Sequence, residues 1–244
     1  MKHFFCAGIA IFACSLLIIS CKKDNNSNNN SNNPQSNLLP NPGTYTYHVT
    51  STDGTTGDET MTISNKRDSA GGHAVTMASV AAGYHLQSVF YADATNTIEP
   101  IYPPQEFDAM ANMIRSMPGV SQFVYEGWPI YQKMPNTASL NDVLGFSGGP
   151  IHLHWVTTAG TSDYKIEYLN GKVVQTNQKV TTPTGTYTCS VWTYGEKTTT
   201  STAAGTTVMN FTDTVWMAPG VPFVKSSELS PSAYSVTTLT KINQ

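Results

Sequence analysis

Apolar and polar residues alternate in twos along nearly everything after residue 37, and such a chain is built from half-buried strands. Tyr45, Tyr47 and Val49 are followed, past a turn at Asp53-Gly54, by Met61 and Ile63. Further runs extend over His73 to Val80, Tyr84 to Tyr91 and Ile151 to Val156. Successive strand side chains point to opposite faces, so each run has one buried and one wet side. Thr fills many of the outward positions, where a β-branched polar residue fits a pleated surface. Asn170-Gly171 separates Tyr164–Tyr168 from Lys172–Val174 and reads as a type I′ hairpin turn. One segment departs from the rhythm. Pro103-Pro104 opens Gln105 to Met117, in which Phe107, Met110, Met113, Ile114 and Met117 recur at helical spacing, and Pro118-Gly119 closes it. No second linker interrupts residues 38 to 244, so the expectation is one all-β domain with one short amphipathic helix.

The first residues carry an address. Lys2 and His3 precede Phe4 to Ser20, a 17-residue stretch without a charge, short for a spanning helix and suited to a secretory signal. It ends Ile18-Ile19-Ser20-Cys21, which resembles the lipobox of bacterial lipoproteins. The resemblance implies a signal peptide over 1–20, with Cys21 as the lipidated mature N-terminus carrying a diacylglycerol and an acylated amine. Each buried methylene is worth ~0.8 kcal/mol, so several acyl chains on one residue anchor a protein firmly. Lys22-Lys23-Asp24 and an Asn-rich run to Asn33 follow. With no apolar residue to bury, residues 21–37 read as a solvated tether. Charges directly after the lipidated Cys resemble sorting signals of Gram-negative outer-membrane lipoproteins, and surface display is favoured slightly over a periplasmic face.

Composition removes several function classes. Lys and Arg number 13 against 16 Asp and Glu, so no broad basic field exists for nucleic acid. Cys6 and Cys14 fall in the signal peptide and Cys21 is assigned to lipid. Cys189 alone remains in the folded part, on the strand face of Tyr187 and Val191, where a buried small hydrophobe is the preferred reading.

Val180-Thr181-Thr182-Pro183-Thr184-Gly185-Thr186-Tyr187-Thr188-Cys189 and Val215-Trp216-Met217-Ala218-Pro219-Gly220-Val221-Pro222-Phe223-Val224-Lys225-Ser226 resemble the TapB-like family of exported bacterial β-proteins. A closing strand at Tyr234 to Thr240 and a weaker echo at Leu140-Asn141-Asp142-Val143-Leu144 extend the likeness over about residues 135 to 242. Asn141 stands where that family has Gly, and Asn also tolerates a left-handed backbone. Pro222 likewise replaces Gly, removing an amide donor at a tight turn. The resemblance implies a spiral β-roll, a strongly curved antiparallel sheet wrapped on itself, and brings no catalytic residues.

Motifs that carry chemistry are few. Gly145-Phe146-Ser147-Gly148-Gly149 matches a nucleophile elbow in form, yet a strand signal follows where a helix is required. His152 and His154 are two apart on a strand and share a face, with no third metal ligand evident in sequence. Tyr125 to Tyr131 concentrates rings, including Trp128 and Tyr131, that would suit stacking on a glycan or a partner protein. No cofactor fingerprint is present. The first expectation is therefore a lipid-anchored, non-enzymatic binding or structural module of the outer membrane. The second is a carrier or chaperone for an apolar ligand, with Met110, Met113 and Met117 in its lid. A hydrolase using Ser147 with His152 or His154 is third.

Overall fold

The computed structural model describes residues 38–244 apart from 70, 82 and 83, so the expected signal peptide, lipidated Cys21 and tether lie outside the described residues. The chain is laid out as β1 (Gly43–Ser51), β2 (Thr56–Ile63), β3 (Arg67–Ser69), β4 (Gly72–Ala81), β5 (Tyr84–Ala92) and β6 (Asn96–Ile101). The helix α1 (Phe107–Ser116) follows, then β7 (Val120–Glu126), β8 (Ile130–Pro135), β9 (Val143–Ser147) and β10 (Ile151–Thr157). The last strands are β11 (Gly160–Thr182), β12 (Gly185–Thr202), β13 (Gly205–Met217), β14 (Lys225–Leu229) and β15 (Tyr234–Asn243). Each run named above is a strand, and buried and exposed positions alternate in β1, β2 and β5, whereas Ala74 and Val75 are both buried on β4. The helix is one to two residues shorter at each end than its sequence pattern.

The strands form one antiparallel sheet whose order runs β12-β13-β14-β15-β1-β2-β4-β5-β6-β8-β9-β11, and β11 pairs again with β12. That last pairing closes a barrel of 12 strands. Wrapping of the sheet on itself is thus carried to completion, which leaves the ring without a free edge. β3 hangs on β4, and β10 with β7 forms an extension on β11 outside the ring.

The Asn170-Gly171 hairpin is corrected by the structure. β11 runs straight through this pair, which forms a bulge: Leu169 faces Gly195 and Lys172 faces Thr193, so two residues oppose Tyr194 alone. Neither residue takes a positive φ. Asn170 instead accepts the Phe146 amide on β9 through Oδ1 at 2.8 Å, and Gly171 lies opposite Leu144. At this bulge β11 changes neighbours, from β10 on its first part to β9 beyond it.

Two apolar clusters fill the inward faces. The larger occupies the barrel, with Trp192, Tyr45, Tyr47, Phe90, Met77, Met134, Leu144, Val173 and Leu239. Cys189 belongs to it together with Tyr187, as its strand face predicts. One end of the barrel is sealed by Leu38 and Leu39 and by Ala218, Val221, Phe223 and Val224 from the β13–β14 connection. Tyr47 stacks on Phe223 at 4.1 Å between centroids and donates to its carbonyl at 3.1 Å. Tyr45 donates to the carbonyls of Asn41 and Gly220, so both buried phenols are satisfied. The smaller cluster joins Phe107 and Ala111 of α1 to Phe123, Ile151 and Leu153 of the extension, to Tyr164 and Ile166 of β11, and to Ile101 and Ile130. No helix among the described residues is long and apolar enough to cross a membrane.

Candidate functional site

Two polar groupings stand out from this framework, one inside the barrel and one on the outer face of the extension. The inner one follows from strand parity. On β12, Trp192, Tyr194, Glu196 and Thr198 share the inward face, and the register sets Tyr168 opposite Glu196 and Tyr194 opposite Asp213. Asp213 in turn faces Glu228 on β14. Burial, reinforced by the Glu228 charge, pushes the carboxyls of Glu196 and Asp213 up to about 8. Burial likewise carries Glu59 to about 7, and raises Glu99 and the phenols of Tyr168 and Tyr194 well above their ordinary values. The Tyr168 hydroxyl and Asp213 Oδ1 are buried without a hydrogen-bond partner. Carboxyl groups therefore line the layer next to the packed apolar cluster, a poor lining for an apolar ligand.

The outer grouping is set by a hairpin. Thr157 pairs with Gly160 across a two-residue turn, and counting back from it places His154 opposite Asp163 and His152 opposite Lys165. β7 lies on the other side, with Glu126 opposite His152. Leu153, Ile151 and Tyr164, at the intervening positions, face the helix, which leaves the polar set outward. Asp163 Oδ1 receives both imidazoles, from His154 Nδ1 at 2.7 Å and His152 Nε2 at 3.0 Å. Hydrogen bonding from His154 first, then from His152, holds the Asp163 carboxyl below its ordinary range. The other ring nitrogen of His152, Nδ1, lies 3.5 Å from Glu126 Oε1. A cavity of about 310 Å³ opens beside His152, bounded by Glu126, Gly127, Gly149, Pro150 and Lys165.

The structure thus brings to the two histidines a carboxylate that their spacing in sequence does not show. Asp163 was legible only through the hairpin at Thr158-Ala159, which carries no Asn-Gly or Asp-Gly signal. Among the described residues, His152, His154 and Asp163 are the group of His, Cys, Asp or Glu whose ligand atoms all fall within 4.8 Å of one another. The other described histidines each meet a single carboxylate: His48 with Asp58, His73 with Asp68 and His85 with Glu106.

The remaining sequence candidates lie apart from this group. Ser147 is exposed at the end of β9, and Gly148-Gly149-Pro150 lead directly into β10, so the strand–turn–helix of a nucleophile elbow is absent there. Met110 packs against the smaller cluster beside Ile114, whereas Met113 is 55 % exposed. Met117 is half-buried at the end of α1. Trp128 meets Phe107 edge-on at 5.2 Å and packs on the same cluster, with its buried Nε1 unpartnered. Tyr131 is exposed on β8.

The sequence profile of the DUF3108-like family matches residues 134–232, less than half of the chain. No curated protein matches significantly. Among solved structures, one named as an exported protein with a YmcC-like fold, from Bacteroides fragilis, is similar over 86 % of this chain and 100 % of its own, with a TM-score of 0.51 and 16 % identity. A second, named as a lipoprotein, from Parabacteroides distasonis, covers 84 % of this chain and 97 % of its own, with a TM-score of 0.54 and 13 % identity. These likenesses establish the fold.

Proposed function

We propose that this chain is a lipid-anchored protein of the bacterial cell envelope, a non-enzymatic binding or structural module held on the outer membrane through Cys21. In this reading residues 1–20 are the signal peptide, 21–37 the lipidated Cys and tether, and 38–244 the presented domain. The observation that carries it is an asymmetry of the barrel. The tether would join at Leu38, within the sealed end, where Asn41 donates to the Gly220 carbonyl. By register the His152, His154 and Asp163 group belongs to the opposite end, since Asp163 pairs with Ser201 near the β12–β13 turn. The point where the described domain begins, Leu38, and the His152, His154 and Asp163 group therefore stand at opposite ends of the barrel. The lipobox-like Ile18-Ile19-Ser20-Cys21 supports export and lipid anchoring, and of the two structural neighbours one is named an exported protein and the other a lipoprotein. The packed interior and its carboxyl lining favour a partner at the surface, a protein or a glycan, over an apolar ligand within.

Replacing the anchor residue tests this. Cys21→Ala is expected to abolish incorporation of labelled palmitate and to leave the 1–20 signal peptide uncleaved. Retained label, or normal cleavage in the variant, overturns the anchor. Protease digestion of intact cells then separates display on the surface from a periplasmic face.

A further inference from the structure

We infer that His152, His154 and Asp163 form a binding site for a divalent first-row metal ion, with Zn²⁺ the fitting occupant, and that Glu126 orients one of its ligands. Convergence separates this group from an ordinary His–carboxylate contact. Two imidazoles from one face of β10 reach a single oxygen of Asp163, at 2.7 and 3.0 Å. Ligands ~2.0–2.2 Å from a tetrahedral zinc lie roughly 3.3 Å from one another, and here both imidazoles are close to Asp163 while all three ligand atoms fall within 4.8 Å of one another. Two imidazoles and one carboxylate are a donor set that suits Zn²⁺ and its first-row neighbours, whereas Ca²⁺ and Mg²⁺ take oxygen ligands.

Glu126 supplies an independent argument. It stands at Nδ1 of His152, the nitrogen that does not face Asp163. A histidine that binds metal through one nitrogen usually presents the other to a carboxylate or carbonyl, which fixes the ring and raises its basicity. Here the register provides this, because His152 on β10 lies between Glu126 on β7 and β11. Ligands and orienting group thus sit on three adjacent strands, whose inner face is held by Phe123, Leu153 and Tyr164. Three protein ligands leave a coordination position open, and the cavity of about 310 Å³ beside His152 gives solvent or a small anion access to the site.

The test is zinc binding by the full chain purified in detergent, read by metal content after dialysis and by calorimetry, with Zn²⁺ alone as the probe. One Zn²⁺ per chain is expected, and Asp163→Asn, which keeps the shape of the side chain, should weaken it by at least ~10-fold. A His152→Ala/His154→Ala double variant should lose the ion altogether, and Glu126→Gln should weaken it less than either. Metal-free thermal unfolding of each variant, compared with the parent, shows that the fold is intact. Replacement by Co²⁺ gives a direct signature, a visible d–d spectrum that Asp163→Asn alters. A chain that retains no zinc overturns the inference. So does zinc retained equally by the double variant, which would place the ion on the single-carboxylate histidines.

Discussion

Asp213 shows what one inward position costs a barrel. Its parity on β13 places it beside Val215 and opposite Tyr194, and burial rather than any hydrogen bond sets its chemistry. An acid whose native pKa is raised holds its proton more tightly folded than unfolded, so deprotonation favours the unfolded chain. The stability linked to Asp213 is therefore full below its ordinary value of 3.8, declines as pH rises, and is lost once pH passes about 8. Glu196 behaves alike and is coupled through Glu228, so the two titrate as a set. Denaturant unfolding from pH 5 to pH 9 should show a fall in stability. Asp213→Asn should flatten it by roughly 2–4 kcal/mol, since each tenfold change in proton affinity is worth ~1.4 kcal/mol. An unchanged pH slope in the variant would mean that Asp213 is hydrated and ionised in the native state. The same scale shows what sequence reveals. Asn141 adopts a φ of 70°, the left-handed conformation its side chain tolerates, and Cys189 is buried as its neighbours on the strand imply. The acids of the inner layer follow the same parity as Trp192, and it is their strands' apolar residues, not their own polarity, that place them inside.

At the scale of elements, the strands and α1 were legible because their periods are long and regular, whereas their connections misled in two places. Asn-Gly suits a type I′ turn, yet at Asn170-Gly171 the pair bends a strand that must leave β10 for β9 while keeping β12. The small size of Gly171 is what the place requires. A Cβ there would lie 2.1 Å from the Thr193 carbonyl oxygen and 2.5 Å from the Tyr194 Cβ. Gly171→Ala should thus cost at least ~1–3 kcal/mol, the usual range for forcing atoms into filled space, measured as a lowered urea midpoint with an unchanged slope. Gly57, where a Cβ would meet nothing within 4 Å, is the matched control and should tolerate Ala far better. Conversely, Thr158-Ala159 makes the tight hairpin that aligns His154 with Asp163, and neither residue announces it. The candidate site was half visible for that reason: two histidines on one face can be read from spacing, but the carboxylate that meets them arrives by register.

Closure governs the behaviour of the whole molecule. Each strand of the ring has a hydrogen-bonded neighbour on both sides, so opening the barrel anywhere breaks a ladder and exposes the large apolar cluster. The extension is built differently, because β7 pairs with β10 alone and α1 rests on the small cluster. Releasing β7, β10 and α1 together breaks only the ladder between β10 and β11. Local opening follows the part with the least buried apolar surface, so hydrogen exchange should proceed first in α1, β7 and β10 and last in β1, β12, β13 and β15. Leu153→Ala, which removes a buried side chain from the small cluster, should cost that unit ~2–5 kcal/mol and speed its exchange while the barrel amides keep their rates. Uniform acceleration across all strands would instead mean that barrel and extension open as one. An ion held by His152, His154 and Asp163 bridges the ladder that this opening must break, so Zn²⁺ should slow exchange in β10, β7 and α1 and leave the ring unaffected. A protection change confined to these elements would tie the site to the extension's stability and would give the presented end of the barrel two states for a partner to distinguish.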